Sequence, residues 1–279
     1  MPEFQVAGPG LTATVREGVG GKITSLLDSA GRQWLAQPDP ALDVVPGADF
    51  VRGEMSGWDE CAPSVNACTV GGFPIPDHGD LWATRWDTMS HDGDRVEMRA
   101  TGSSMPYELR RTVAASDRGL RLDYEARSLG GDLPFLWLAH PQFVAPVGSF
   151  VRLPGEVTTV VDVLGERDRV VPWTRELATA DSLAEGGCRK LYVEPALRAR
   201  EASLVLEDGS SLTLSWTGCD YLGLWFDRAA FSRESVIALE PSTGYRDSLA
   251  WAIESGRASL LTPADPLRWS LWLEVSLAI

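Results

Sequence analysis

Histidine is scarce in this chain: its 279 residues hold three, His78, His91 and His140. Cysteine is nearly as rare, with four (Cys61, Cys68, Cys188 and Cys219) and no Cys-x-x-Cys spacing. That removes the common zinc and dithiol patterns and predicts reduced, buried thiols. No apolar run approaches the roughly 20 residues of a membrane helix. The start, Met1-Pro2-Glu3-Phe4, lacks a basic segment leading into an apolar one, so the expected location is the cytoplasm. Basic residues are in deficit, 25 against 39 acidic ones, for a net charge of −14 and a pI near 4.7. Such a chain repels phosphate backbones and anionic lipid at long range, so no nucleic acid and no membrane surface is expected as a partner. Three catalytic signatures are missing as well. There is no Gly-x-Ser-x-Gly elbow and no His-Glu-x-x-His. Gly18-Val19-Gly20-Gly21 runs into the strand-like Lys22-Ile23-Thr24-Ser25-Leu26, which is no phosphate cradle. A metal held by His78, Asp80 and His140 would use two of the three histidines at no recognised spacing, so no metal and no cofactor is expected.

Helical periodicity is scarce too. The best helical candidate is the polar stretch 174–185. What dominates is period-two alternation, the mark of half-buried strands. Leu267, Trp269, Leu271, Leu273, Val275 and Leu277 alternate nearly to the end; Leu212, Leu214 and Trp216 do the same. Leu120, Leu122, Tyr124 and Ala126 answer Tyr107, Leu109, Arg111 and Val113. Asp92-Gly93 and Asp208-Gly209 read as tight hairpins, because glycine readily takes positive φ. Hydrophobic residues make up 44% of the chain, enough for a sizeable core. With no strand–helix alternation a parallel sheet is not expected. The fold class is all-β, a large antiparallel β-sandwich formed by one domain over residues 1–279. Two long connections, 47–80 and 165–187, are expected to be functional loops.

Four segments concentrate polar and aromatic residues near strand ends: Gly57 to Pro63, with Asp59 and Glu60; Pro76 to Trp82, with His78, Asp80 and Trp82, and Trp86 just beyond; Trp137 to Phe143, with His140; and Leu239 to Tyr245, with Glu240. Singly, each has a commoner explanation: a turn-capping histidine, a core histidine, a surface glutamate. Together they put two of the three histidines beside Gly or Pro, flanked by Trp and acid, where a sandwich would build a polar cleft. Eleven tryptophans suit either a core or the stacking of sugar rings. His91, in Ser90-His91-Asp92-Gly93, reads as a solvated hairpin tip.

In this order, the segments resemble the aldose 1-epimerase family and its galactose mutarotase-like relatives. Gly20 to Leu26, followed by Asp28, Gly31 and Leu35, looks like that family's opening hairpin. Pro76 to Trp82 looks like its His-Gly segment, His140-Pro141-Gln142-Phe143 like its second histidine strand, and Glu240-Pro241-Ser242-Thr243-Gly244 like the segment of its catalytic glutamate. The tail from Leu260 to Val275 looks like its closing strand pair. The family's substrate-binding Asn-Arg pair has no clear match; Arg52 lies nearest, and Gly57 to Pro63 looks like a divergent branch. The resemblance implies a small-molecule carbohydrate ligand and no cofactor. It implies Glu240 as base and His140 as a protonated acid, with His78, Asp80, Trp82, Trp86, Trp137, Arg52, Asp59 and Glu60 as candidates to hold the sugar. Two alternatives stay open on the same scaffold: a non-catalytic sugar-binding module, and an epimerase, isomerase or lyase acting on a modified sugar. A glycosidase, which needs paired carboxylates, ranks last.

Overall fold

The computed structural model describes residues 2–38, 50, 55–164 and 168–278. Among them, two large antiparallel sheets of eleven and eight strands pack face to face. One apolar core joins them, drawing on Leu122, Leu214 and Leu271 from the smaller sheet and Leu191, Leu224 and Leu239 from the larger. The expected β-sandwich is the fold observed.

The smaller sheet follows the alternation closely. Tyr107–Ser116 turns through Asp117-Arg118 into Gly119–Ser128, with Val113 opposite Leu122 and Arg111 opposite Tyr124. Asp92-Gly93 joins Asp87–His91 to Arg95–Thr101, and Asp208-Gly209 joins Glu201–Val205 to Ser211–Thr217. Both glycines take positive φ, +92° and +88°, as tight hairpins require.

The larger sheet departs from simple alternation at its centre. Its middle strands run in the order Trp58–Cys61, Leu138–Pro141, Ser235–Ser242, Tyr221–Arg228, Cys188–Val193. Every residue from Val236 to Ser242 is buried, because chain covers this strand on both faces. Its sequence accordingly opens on a continuous apolar run, Val236 to Leu239, rather than an alternating one. Trp58–Cys61 lies inside the stretch expected to be loop. Its two faces are both charged and both buried, at Asp59 and Glu60, so no apolar rhythm marks it. The 174–185 stretch reduces to one 3-10 turn, Ala180–Ser182. A short α-helix lies instead at Leu249–Glu254, capped by the Ser248 side chain; six residues are too few for a readable helical period. The tail strands do not pair with each other: Ser259–Leu261 pairs with Leu133–Phe135, while Leu267–Ser276 lies in the smaller sheet. All four cysteines are free. Among the described residues no helix is long and apolar enough to cross a membrane.

Glu60 points from the larger sheet into the space between the sheets. Its carboxylate accepts hydrogen bonds from Arg111 Nη1 at 2.8 Å, Tyr124 Oη at 2.9 Å and Trp137 Nε1 at 2.7 Å. Arg111 also donates to the Gly21 carbonyl and lies over the Trp86 ring at 5.0 Å. Neither member of the ion pair has any exposed side-chain surface. Removing one partner of such a pair strands a buried charge. We therefore expect Arg111→Met to cost about 3–5 kcal/mol of stability in urea denaturation. Adding Glu60→Gln should recover part of that loss, since the amide still accepts from Trp137 but carries no charge.

Candidate active site

Strand register brings the chemistry together. Asp59 pairs with His140, Glu240 with Gly223, and Gly223 with Tyr192. Leu138 pairs with Ser242, so two residues further along, His140 and Glu240 lie side by side. Laterally paired residues share a face of the sheet. One row across five strands thus carries Asp59, His140, Glu240, Gly223 and Tyr192 on the side away from the smaller sheet. Glycine at 223 leaves room for the carboxylate where it stands, because a Cβ would sit 2.7 Å from Glu240 Oε2 and 3.2 Å from the Tyr192 ring.

A cavity of about 260 Å³ opens over this row, lined among others by His78, His140, Lys190, Trp225, Glu240 and Asp247. Glu240 is fully buried. Its Oε2 is in contact with Lys190 Nζ, and its Oε1 lies 3.9 Å from His140 Nε2. Lys190 Nζ also sits 3.0 Å from Asp247 Oδ1, which accepts from Tyr192 Oη at 2.8 Å. Burial pushes the Glu240 carboxyl up to about 7, against the pull of the Lys190 ammonium and with a further push from Asp247. For Lys190, burial works against the charge, but Asp247 and Glu240 together outweigh it and hold the ammonium above its ordinary range. His140 moves the other way. Burial, then His78, Lys190 and Lys22, drive it well below the usual imidazole range. This corrects the expected protonated His140: with Lys190 occupying the nearby carboxylate, the imidazole is neutral at rest.

His78 reaches the cavity from a sharp turn. Its φ of +57° is left-handed, followed by Gly79 at +73°. A Cβ at 79 would lie 2.1 Å from the Ala62 carbonyl oxygen, so the turn can press this close only with glycine. A non-glycine residue in this region costs on the order of 1–3 kcal/mol and commonly marks a functional position. Asp77 Oδ2 lies 2.8 Å from His78 Nδ1, and Phe50 stacks on the ring with centroids 3.7 Å apart. The His78 and His140 rings are 5.2 Å apart.

Of the residues picked out in the sequence, then, the fold brings His78, His140 and Glu240 to one cavity, with Asp59 in the same row and ion-paired to Lys22 at 3.2 Å. It does not bring the others. Asp80 accepts from the backbone and hydroxyls of Ser103 and Ser104 and from Tyr107, and so anchors the His78 turn. Glu60 and Trp137 face the space between the sheets. Trp86 is core, donating to the Leu81 carbonyl, and Trp82 packs edge-on against Phe50 behind the histidine stack. Arg52 lies outside the described residues. Lys190, Asp247 and Gly223 were not anticipated. A lysine in Cys188-Arg189-Lys190-Leu191-Tyr192-Val193, on a strand that is otherwise mostly apolar, is the one local sign of the first.

No protein-family profile matches the chain, and no curated protein is close enough in sequence to count as a match. Solved structures do match. A protein of Synechocystis sp. PCC 6803 superposes with a TM-score of 0.78 at 16% identity, covering 99% of this chain and 96% of its own. A galactose mutarotase-like protein from Lactobacillus casei gives 0.74 at 18%, covering 99% and 100%. A candidate aldose 1-epimerase of Escherichia coli K12 gives 0.74 at 14%, covering 99% of both chains. The fold is the galactose mutarotase-like one. Within that fold, the Glu240 environment makes a direct prediction. A protonated-carboxyl infrared band should appear as pH falls through about 7, far above the range of an exposed glutamate, and should be missing in Glu240→Gln.

Proposed function

We propose that the chain interconverts the anomers of a free sugar by opening and reclosing its ring. What carries this reading is the pairing of a carboxyl poised near neutrality with a neutral imidazole 3.9 Å away, in one cavity. The two oxygens on an anomeric carbon, O1 and the ring oxygen O5, need a base and a donor side by side, and these two groups stand side by side. Glu240 takes the proton from O1. As C1=O1 forms, the C1–O5 bond breaks and its electron pair goes to O5. His140 donates its N–H to O5; a neutral imidazole with a lowered pKa is suited to meet charge developing on oxygen. The Lys190 and Lys22 charges that keep His140 from becoming cationic also ease the loss of that proton. Glu240, now protonated, returns a proton to His140. The C1–C2 bond turns, and the same steps in reverse close the ring on its other face. His78 donates to the ring oxygen or a neighbouring hydroxyl, and Trp225 offers an apolar surface.

An uncharged aldose suits the cavity best. The net charge of −14 disfavours phosphate, and the lysine lining the wall is already shared by two carboxylates. The fold neighbours described as mutarotase-like or as candidate aldose 1-epimerases support the same chemistry. One observation favours a rival. A carboxylate in contact with an ammonium is a weakened base, as would suit a sugar-binding module that does no chemistry.

Polarimetry or NMR of freshly dissolved anomers, over a panel of aldoses, separates the two. Glu240→Gln should lose about 10²–10⁴-fold in rate, the usual share of positioned proton transfer, while sugar binding followed by tryptophan fluorescence persists. His140→Asn should lose rate similarly, and His78→Asn both rate and binding. In the wild type kcat/KM should rise with pH through about 7 as Glu240 ionises and then level off. Sugar binding without faster anomer exchange would select the binding module.

A further inference from the structure

The lysine in contact with the base is held from both ends. Lys190 lies on Cys188–Val193, two strands from Glu240, with the Gly223 strand between. Its Nζ spans Glu240 Oε2 and Asp247 Oδ1 and is almost fully buried. The missing side chain at Gly223 leaves the space through which the two groups meet. Asp247 is itself fixed: its backbone carbonyl accepts from the Val65 and Asn66 N–H groups, and its Oδ1 from Tyr192. The bridge is therefore anchored at its far end and has one place to hold Glu240.

We propose that Lys190 is a positioning residue of the site, which clamps the Glu240 carboxylate toward the anomeric oxygen and keeps it ionised for proton transfer. The proposal rests on the reading of Glu240 as the base. Its logic is electrostatic. A carboxyl with no exposed surface is driven toward its neutral form by burial, and a neutral acid takes no proton. The charged and titratable groups facing Glu240 are Lys190 and Tyr192 from one strand, His140 from another, Cys61 from a third, and Asp247 from the covering segment. Tyr192 and Cys61 are held neutral by burial, and His140 is neutral as well. Asp247 opposes ionisation of Glu240, so Lys190 alone among these favours it.

Two substitutions must therefore act in opposite directions. Lys190→Met removes the favourable charge. The titration of Glu240, read by carboxyl ¹³C NMR with the signal assigned by its loss in Glu240→Gln, should move up by about 1–3 pH units. Anomer exchange should fall about tenfold or more at neutral pH and recover as the solution is made alkaline. Lys190→Arg should leave the titration near its wild-type position while lowering the plateau rate. Asp247→Asn removes the opposing charge and should move the titration down. A filler role for Lys190 would depress the rate equally at every pH and leave the titration in place, and that result overturns the proposal. Should Lys190→Met fail to fold, the downward shift in Asp247→Asn decides: no shift, or an upward one, overturns it. The NMR titration needs no sugar. If it behaves as stated and no aldose shows faster exchange, the proposed reaction falls while the Lys190–Glu240 coupling stands.

Discussion

The complete burial of one carboxylate on the outer face of a sheet is the constraint from which the rest of the site follows. Glu240 occupies a strand covered on both sides and has no exposed surface, although it lies against the wall of the cavity. An uncompensated charge there would cost several kcal/mol, so the carboxylate must either neutralise itself or find a partner. Lys190 is that partner, and being buried it needs one in turn, which Asp247 supplies. Asp247 is pinned by Tyr192 and by the backbone of residues 65 and 66. Each compensation recruits the next, until the sheet floor is tied to the segments that roof it. The cavity has its shape because these charges cannot be satisfied separately.

The same sheet solves the problem a second time on its other face. Asp59 and Glu60 are adjacent on one short strand and so point in opposite directions. Glu60 turns inward to Arg111, Tyr124 and Trp137, all fixed by the core. Asp59 turns outward, beside His140 and Lys22. The inward carboxylate has all its neighbours locked and no open space, so it serves cohesion between the sheets. The outward row has an open cavity over it, which is what a reacting centre requires. Chemical type alone does not separate the two roles; the side of the sheet does.

This is also where reading the sequence succeeds and fails. The hairpins at Asp92-Gly93 and Asp208-Gly209, and the alternation from Leu267 to Val275, are local signals, and the strands sit where they point. Glu240 and His140 could be picked out by the company they keep at strand ends and by resemblance to a family. Their meeting depends on register between strands about a hundred residues apart, which no local pattern encodes. Lys190 and Asp247 fail for the same reason, since neither is unusual until the pairing of three strands sets them against Glu240. Trp86 and Trp137 lie in the core rather than at the cavity, and an indole that stacks on a sugar and one that fills a core look alike in sequence. Glu60 and Asp80 anchor structure instead, and a carboxylate in an aromatic segment is as apt to do that as to bind ligand.

The charge state of His140 depends on the same groups. Viewed from its carboxylate neighbour alone, the imidazole ought to be cationic, which is also what the family resemblance implies. The fold adds what the sequence could not: burial, a second histidine, and the ammonium groups of Lys190 and Lys22, which are remote from it in the chain. One of them, Lys190, pulls both members of the pair toward the states the proposed proton transfer needs, Glu240 toward the anion and His140 toward the neutral donor. A cation placed on the far side of His140 would have done only the second. Because Lys190 touches Glu240 directly and reaches His140 only through space, its pull on the carboxylate is the stronger. In the proposed reaction, one lysine thereby sets the direction in which a proton moves between them.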